Sequence, residues 1–214
     1  MLARYAESFR TTEINSSFYR LPALATLDSW RRTTPPGFVF AAKASRFITH
    51  MKKLKDPKQT LRPFLSRIRK LAEKLGPLLF QLPPNWSYNE TRLAAFLDAL
   101  PRDLRYAFEF RDRSWLNDHT FELLAAHDAA LCVYELEGFR SPSIATTDLV
   151  YVRLHGPDAV YRGSYDDRSL ERWADQLTTW SGEGRTAYCY FDNDESAHAA
   201  SDALRLRAMM SQSR

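Results

Sequence analysis

The sequence contains few cysteines and no long apolar run, and these absences exclude several classes of protein. Cys132 and Cys189 are the two cysteines of the 214-residue chain, and each lies inside an apolar segment, so we expect both to be reduced and buried. Because the chain has two cysteines, far apart in the sequence, a structural zinc site with four ligands is excluded unless histidines and carboxylates supply most of the ligands. No segment is long and apolar enough to span a membrane, and residues 1–5 lack the apolar centre of a signal peptide. We therefore expect a cytoplasmic protein without a membrane partner.

Glycine is also scarce, with 7 residues in the chain. A doubly wound sheet that binds dinucleotides carries a glycine-rich turn after its first strand, and the sequence has none. The motifs of P-loop proteins, nucleophile-elbow hydrolases and histidine-rich metal sites are absent as well. The 30 lysines and arginines exceed the 26 acidic residues and give a net charge of +4. This excess permits an anionic ligand or nucleic acid but requires neither.

One pattern recurs seven times along the chain: a short apolar run, a polar cluster and then a helical stretch. Continuous apolar runs are typical of parallel strands that are covered on both faces. Polar groups at the carboxyl ends of such strands mark the functional face of α/β proteins. The predicted strands are residues 11–15, 38–43, 77–81, 106–111, 130–134, 149–155 and 187–193. The predicted helices are residues 2–9, 26–32, 57–75, 90–100, 117–126, 167–180 and 196–210.

The helix predicted over residues 57–75 has the clearest periodicity. Its apolar side chains fall on one face at helical spacing, and the glycine and proline at 76 and 77 would end it. Four basic side chains lie away from the apolar face: Arg67, Arg69, Lys70 and Lys74.

Parallel strands whose ends carry scattered polar groups favour an α/β fold of the TIM-like (β/α) barrel type. We predict one such domain over residues 1–214. A closed barrel needs eight strands, whereas the chain opens in a helix and supplies seven strands. The first strand of the usual eight is therefore predicted to be missing, which would leave the first and last strands as edges with a strand-wide gap between them.

Several segments together resemble the DUF72 family, also called YecE-like, of uncharacterised proteins. The matching pieces are EINSSFYRLP at 13–22, FAAK at 40–43, ITH at 48–50, LGPLLFQLPP at 75–84, FEFR at 108–111 with SW at 114–115, YVRLHG at 151–156 and YFDND at 190–194. The resemblance implies a TIM-like barrel and does not imply a reaction. Members of the family usually open with a strand that carries a Gly-Thr-Ser-Gly-Trp-like segment. Its absence predicts either an N-terminally incomplete chain or a variant with an open barrel.

The candidate catalytic residues lie at the predicted strand ends. Spacing of two residues puts Glu13 with Asn15, Glu109 with Arg111, and Arg153 with His155 on common faces. Carboxylates and a histidine there suit general acid–base chemistry. Each pair has an ordinary alternative, namely a structural ion pair, a helix cap or a hydrogen-bonded core histidine. The predicted catalytic residues are Glu13, Lys43, Glu109, His155 and Asp192.

Other polar and aromatic side chains could bind the substrate. Lys43 could neutralise a phosphate or carboxylate, pair with Glu13 or, less readily, form a Schiff base. His50 is a second, weaker histidine candidate, and Asp192 to Asp194 could bind a cation or begin the last helix, with Asp194 as its N-cap. The predicted substrate-binding residues are Asn15, Tyr19, Gln81, Arg111, Arg153 and Asn193. Possible aromatic walls are Tyr19, Trp115, Tyr161 and Tyr165.

These residues predict an enzyme that performs acid–base chemistry on a small anionic or polyhydroxyl substrate, with no cofactor specified and a divalent metal allowed but not required. One alternative is a nucleic-acid-binding or processing protein, since the pI is about 9.1 and basic residues cluster at 52–55 and 62–74. Such clusters are more often a solvated helix face and loop. A further alternative is a non-catalytic remnant of a truncated barrel. The oligomeric state is left open.

Overall fold

The computed structural model describes residues 2–157 and 159–212, and the chain divides into two compact units, Met1–Ala129 and Ala130–Arg214. The fold class agrees with the prediction: an α/β fold of the TIM-like type, in which the described residues form seven parallel strands, with helices between all consecutive ones except the fifth and the sixth. One further short strand is antiparallel. A single domain over residues 1–214 stays a prediction.

The first unit contains a parallel sheet with its strands in the order β1-β2-β3-β4. Phe80 stacks on Phe108 with ring centroids 5.2 Å apart and meets the edge of Phe96 at 5.1 Å, so this face of the sheet packs against a helix. The strands are β1 (Thr11–Ile14), β2 (Val39–Lys43), β3 (Leu75–Leu82) and β4 (Tyr106–Phe110). The helices are α1 (Leu2–Ser8), α2 (Leu24–Thr33), α3 (Pro57–Ile68), α4 (Glu90–Asp98) and α5 (Asp118–Ala126). Single turns of 3-10 helix cover Ser16–Phe18 and Arg113–Trp115, a longer 3-10 segment covers Arg69–Lys74, and a π-helix covers Phe47–Met51.

The second unit has the parallel order β5-β7-β8, with β6 antiparallel to β5. The turn between β5 and β6 places Glu137 and Gly138 at φ of 50° and 73°, the conformation of a tight hairpin. The core joins Val150 and Val152 to Leu170, Trp173 and other apolar residues. The strands are β5 (Ala129–Leu136), β6 (Phe139–Arg140), β7 (Leu149–Leu154) and β8 (Thr186–Phe191), and the helices are α6 (Asp167–Gly182) and α7 (His198–Gln212), preceded by a 3-10 turn at Glu195–Ala197.

The helix predicted over residues 57–75 was wrong at its C-terminal end. The α-helix ends at Ile68, a 3-10 segment follows, and β3 begins at Leu75. Gly76 is therefore inside a strand, where a Cβ atom would lie 2.3 Å from Val39 Cγ1. This glycine permits close approach of two strands rather than ending a helix.

Lys74 also differs from its predicted position on a solvated face, because it is buried. Its ammonium group donates hydrogen bonds to the carbonyl oxygens of Arg31 and Thr34, both at 2.6 Å, and to Thr34 Oγ1 at 3.0 Å. Lys74 thus satisfies carbonyl groups at the C-terminus of α2, where a positive charge is favourable.

Both cysteines are free thiols, and Cys132 is buried as predicted. Cys189 is half-buried, so the prediction of full burial was wrong for this residue. It lies on β8, the terminal strand of the second unit's sheet, where a neighbouring strand covers one side. Desolvation raises the pKa of its thiol to about 12, so it is protonated at neutral pH.

Candidate functional site

The first unit presents four predicted site residues on one face of its sheet. Glu13 is in register with Ala41, Lys43 with Leu79, and Gln81 with Glu109. Residues in register on parallel strands point to the same face, and so do residues two apart on one strand. Glu13, Lys43, Gln81 and Glu109 therefore share the face opposite to Phe80 and Phe108. We call this group, together with Arg111 and His50, the first cluster.

Glu109 and Arg111 form an ion pair at the end of β4. The Nε atom of Arg111 donates to Oε1 of Glu109, whose side chain is completely buried. The pair was one of two alternatives predicted from the two-residue spacing. A buried carboxylate is stable as a charged group when a cation compensates it, so Glu109 holds the guanidinium at this strand end. Gln81 Oε1, on the neighbouring strand, is buried and accepts no hydrogen bond within the described part of the chain.

Lys43 and His50 meet at the aromatic ring of Phe18. The Lys43 ammonium lies 4.6 Å from the centre of the ring, and the imidazole of His50 meets the same ring at 4.9 Å in a nearly perpendicular arrangement. Lys43 is buried except for 9% of its area. Partial burial lowers the pKa of His50 below its ordinary value, and the charges of Lys43, Arg111 and Arg46 lower it further. The imidazole is therefore neutral at pH 7.

His50 was underrated from the sequence, because its position depends on an irregular loop. The π-helix at Phe47–Met51 follows β2 and places His50 against the Phe18 ring that Lys43 also contacts. The hydroxyl of the buried Thr49 lies 2.9 Å from His50 Nδ1. A ligand would therefore meet Nε2. The motif ITH at 48–50 was the available signal, but spacing alone could not place it.

The segment after β1 positions Phe18, whose ring contacts Lys43 and His50 of the first cluster. Ser17 is completely buried, and its hydroxyl lies 2.8 Å from the Ile14 carbonyl oxygen and 2.6 Å from that of Lys43. Asn15 is the N-cap residue of the following 3-10 turn but makes no side-chain capping hydrogen bond. Tyr19 is 71% exposed. Ser17, which the sequence did not single out, thus ties Phe18 to the end of β2.

The second unit brings together Arg153, His155 and Asp192, which we call the second cluster. Arg153 Nη2 donates to Asp192 Oδ2, and the same oxygen lies 3.2 Å from His155 Nδ1. Nη1 of Arg153 lies 3.5 Å from His155 Nε2. Arg153 and His155 are almost completely buried. Since a guanidinium can only donate, His155 Nε2 is the acceptor in this contact.

The loop after β7 folds back on His155. The carbonyl oxygen of His155 accepts a hydrogen bond from Tyr161 N at 2.6 Å, and the Tyr161 ring lies 5.7 Å from the imidazole. Gly156 has φ of +107°, and a Cβ atom there would lie 2.3 Å from the Arg162 carbonyl oxygen. Only glycine fits this crossing, so Gly156 is needed for the loop to fold back on His155.

Asn193 lies next to the second cluster in the sequence but makes its contacts elsewhere. Its Nδ2 atom donates to Gly163 O and to Asp202 Oδ2, both at 2.8 Å. Asp202 also accepts hydrogen bonds from Ser164 Oγ and Tyr165 N. The amide nitrogen of Asn193 thus links the loop before α6 to α7. The Oδ1 atom of Asn193 is buried and accepts no hydrogen bond from the described residues. Its substrate-binding role stays a prediction.

Two further sequence interpretations were wrong. Trp115 and Tyr165 are buried rather than lining an open wall: Trp115 stacks on Phe110, and the Tyr165 hydroxyl accepts from Gly156 N at 3.0 Å. Asp194 occupies the N-cap position before the last 3-10 turn but makes no side-chain capping hydrogen bond. Burial and the charge of Asp192 raise its pKa.

The basic segment at 62–74 is largely engaged within the first unit. Arg69 forms two hydrogen bonds with Asp103, at 2.6 and 2.8 Å, and Arg67 donates to the Pro22 carbonyl oxygen at 2.6 Å. Lys74 is buried, as described above. Burial therefore removes Lys74 from the surface, whereas Arg69 is exposed and its charge is compensated by Asp103.

Within residues 2–157 and 159–212, no three His, Cys, Asp or Glu side chains form a group that could hold a metal ion. No helix in the same part of the chain is long and apolar enough to cross a membrane.

The sequence resembles those of known proteins. A family model described as "Protein of unknown function DUF72" matches residues 1–214. The chain belongs to the DUF72 family. The UPF0759 protein YecE of Escherichia coli K12 is 33% identical over 111 residues, which cover 51% of this chain and 41% of YecE. The match thus spans less than half the length of that relative. The UPF0759 protein YunF of Bacillus subtilis 168 is 24% identical, with 98% of this chain and 86% of YunF covered.

Solved structures of DUF72 proteins have the same fold. The DUF72 protein of Thermotoga maritima superposes with a TM-score of 0.83 at 29% identity, covering 95% of this chain and 85% of that one. The DUF72 protein of Enterococcus faecalis superposes with a TM-score of 0.87 at 18% identity, covering 99% of this chain and 88% of that one, and shows the fold alone. These names state no reaction and no ligand.

Proposed function

We propose that this DUF72 chain is an enzyme that performs acid–base chemistry on a small anionic substrate at the first cluster. The observation that carries the proposal is that His50 and Lys43 contact the same ring of Phe18, just after the carboxyl end of β2. This face is where α/β proteins of the TIM-like type carry their chemistry. A neutral imidazole in a cationic environment can accept a proton from a substrate that the cations hold.

Each residue of the first cluster has a role in the proposal. Lys43 and Arg111 bind the anionic group of the substrate, and Glu109 holds the Arg111 guanidinium in place. His50 is the general base. Glu13 is a second carboxylate on the same face, and Gln81 offers an amide to a hydroxyl group.

The second cluster is the other proposed catalytic group. His155 has guanidinium and carboxylate groups beside its two ring nitrogens and is completely buried, whereas His50 is partly exposed. We therefore assign the proton transfer to His50 first and keep His155 and Asp192 as residues that the same experiment tests. The cytoplasmic location remains part of the proposal, and two free thiols agree with a reducing compartment.

A substrate screen tests the proposed function. A panel of small phosphorylated, carboxylated and polyhydroxyl compounds is first screened by thermal shift, and stabilising compounds are then followed by NMR for turnover. We expect His50→Gln and Lys43→Met to abolish turnover, and the exposed His119→Gln to leave it unchanged. Full turnover by His50→Gln together with its loss in His155→Gln would move the chemistry to the second cluster. Salt-dependent binding of DNA or RNA, without turnover of any small compound, would favour the nucleic-acid alternative.

A further inference from the structure

The positive charge of the chain is concentrated in the loop that follows β2. Residues 46–58 contain five basic residues and one acidic residue, so this segment alone carries a net charge of +4, which equals that of the whole chain. The loop leaves β2 at its carboxyl end, whereas the basic segment Arg69–Lys74 precedes the amino end of β3. Because β2 and β3 are parallel, the two basic segments lie at opposite ends of the sheet.

Most cations of this loop have no acidic partner. Lys52 pairs with Asp56, and 3.5 Å separates its Nζ atom from Oδ2. Arg46, Lys53 and Lys55 are exposed and form no ion pair with any residue in the described part of the chain. Several uncompensated charges in one short segment attract a polyanion, whose counterions are released when it binds.

Two of the lysines lie beside aromatic rings that solvent can reach. The Lys52 ammonium is 5.8 Å from the centre of the Phe47 ring, and Phe47 is 43% exposed. The Lys53 ammonium is 5.9 Å from the centre of the Trp86 ring, which is half-buried and belongs to the loop after β3. Cations and aromatic rings therefore occur together on one surface. Such a surface suits a ligand that combines phosphate groups with planar bases.

The backbone of the loop is held in a conformation that its residues rarely adopt. Lys53, Leu54 and Asp56 have φ of 47°, 64° and 50°, in the left-handed region that is unfavourable for residues other than glycine. The Leu54 side chain is buried, and its backbone nitrogen donates to the Ile48 carbonyl oxygen at 3.0 Å. Arg92 Nη1 donates to the Lys53 carbonyl oxygen, also at 3.0 Å. These contacts fix the loop before a ligand arrives, and a site that is already ordered loses less entropy on binding.

We propose that a surface formed by this loop and by the loop after β3 binds single-stranded nucleic acid. This loop surface consists of Phe47, Lys52, Lys53, Lys55 and Trp86. The lysines contact phosphate groups, and the two rings stack on unpaired bases. Lysine is depleted at protein–protein interfaces, which favours nucleic acid over an acidic protein. The inference goes beyond the proposed function and does not depend on it, since none of the residues assigned to the reaction belongs to the loop surface.

Fluorescence anisotropy with end-labelled oligonucleotides tests the proposal on the whole chain. The probes are oligothymidylate and oligouridylate of about 20 nucleotides, and a DNA duplex of the same length. We expect both single strands to bind more tightly than the duplex, whose bases are stacked on each other and not available to protein rings. Three lysine–phosphate contacts predict a slope of about −2 for the logarithm of affinity against that of salt concentration. Binding should then weaken about 20-fold between about 50 and 200 mM KCl.

Variants of exposed side chains separate the contribution of charge from that of stacking. The double variant Lys53→Gln and Lys55→Gln should bind at least about tenfold more weakly at low salt, with a slope of about −0.7, because one phosphate contact remains. Phe47→Ala should weaken single-strand binding at least about fivefold and leave the slope unchanged, because stacking releases no counterions. Lys70→Gln is the matched control: it removes an exposed charge at the other end of the sheet and should change neither the affinity nor the slope.

Three results overturn the inference. The first is that neither single strand binds to the wild type, and binding instead to vesicles of phosphatidylcholine and phosphatidylserine would identify the loop surface as a membrane contact. The second is that the double lysine variant binds as tightly as the wild type. The third is that Phe47→Ala has no effect and the duplex binds as tightly as the single strands. Turnover of a small compound without nucleic-acid binding would leave the proposed function standing alone, whereas binding without turnover would support the loop surface and contradict the enzyme.

Discussion

Replacement of Lys74 with methionine should destabilise the protein, although the sequence places this residue in a basic segment. Its ammonium group is buried and donates to the carbonyl oxygens of Arg31 and Thr34 at 2.6 Å, and to Thr34 Oγ1 at 3.0 Å. Methionine has similar length and apolar volume but no donor. The variant therefore leaves carbonyl groups at the end of α2 without the cation that contacts them.

The size of the effect follows from these contacts. A hydrogen bond to a charged group contributes about 1.5–3 kcal/mol to stability, and Lys74 makes such bonds to two carbonyl oxygens. The variant no longer has to desolvate an ammonium group, which offsets part of the loss. We expect a net decrease of about 3 kcal/mol in the free energy of unfolding, which corresponds to about 6–12 °C in Tm for a chain of this size.

Thermal and urea denaturation followed by circular dichroism measure this change, and Lys70→Met is the matched control. Lys70 lies in the same 3-10 segment but is exposed, so its replacement should change stability by less than about 0.5 kcal/mol. Equal stability of the two variants would refute the claim that Lys74 stabilises the C-terminal end of α2.

Three further predictions concern the two clusters and the thiols. Lys43→Met should raise the pKa of His50 toward its ordinary value, because a neighbouring positive charge is removed; NMR titration of the imidazole measures this. Gly156→Ala should destabilise the protein by about 1–3 kcal/mol in urea denaturation, because the residue has φ of +107° and no room for a Cβ atom. Thiol titration under denaturing, non-reducing conditions should find both cysteines free.

Each of these predictions has a contrary outcome. An unchanged or lower pKa of His50 in Lys43→Met would mean that burial and the charges of Arg111 and Arg46 set its protonation without Lys43. If Gly156→Ala leaves the free energy of unfolding unchanged, the loop after β7 can move away from the added Cβ atom. Fewer than two free thiols would contradict the proposed reducing, cytoplasmic location.

Much of the fold could be predicted because local patterns and burial agree. The predicted strand at 106–111 is β4, and the helix at 117–126 is α5 with Asn117 as its cap, since the Asn117 side chain accepts from Thr120 N. Apolar runs that are covered on both faces, and caps that act within three residues, are signals that the sequence carries locally. The Glu109–Arg111 pair could be predicted as one of two alternatives for the same reason, because its two members are two residues apart in one predicted strand.

The errors occurred where a distant segment decided the conformation. Gly76 resembles the end of a helix until Val39 is placed beside it, and Lys74 resembles a surface cation until α2 presents its carbonyl groups. His50 is the same kind of case in the candidate site. Its side chain lies in an irregular π-helical loop, so no helical or strand period indicates its neighbours.

The sequence by itself determined the alternation of strands and helices, the family, and the set of polar residues at the strand ends. Hydrophobic periodicity and short-range hydrogen bonding suffice for these, since they depend on residues close together along the chain. The tertiary structure alone decided that Lys43 and His50 both contact the ring of Phe18, and that Arg153 and His155 both contact the carboxylate of Asp192. Charge interactions depend on distance in space and on burial, and neither quantity is written in the order of the residues.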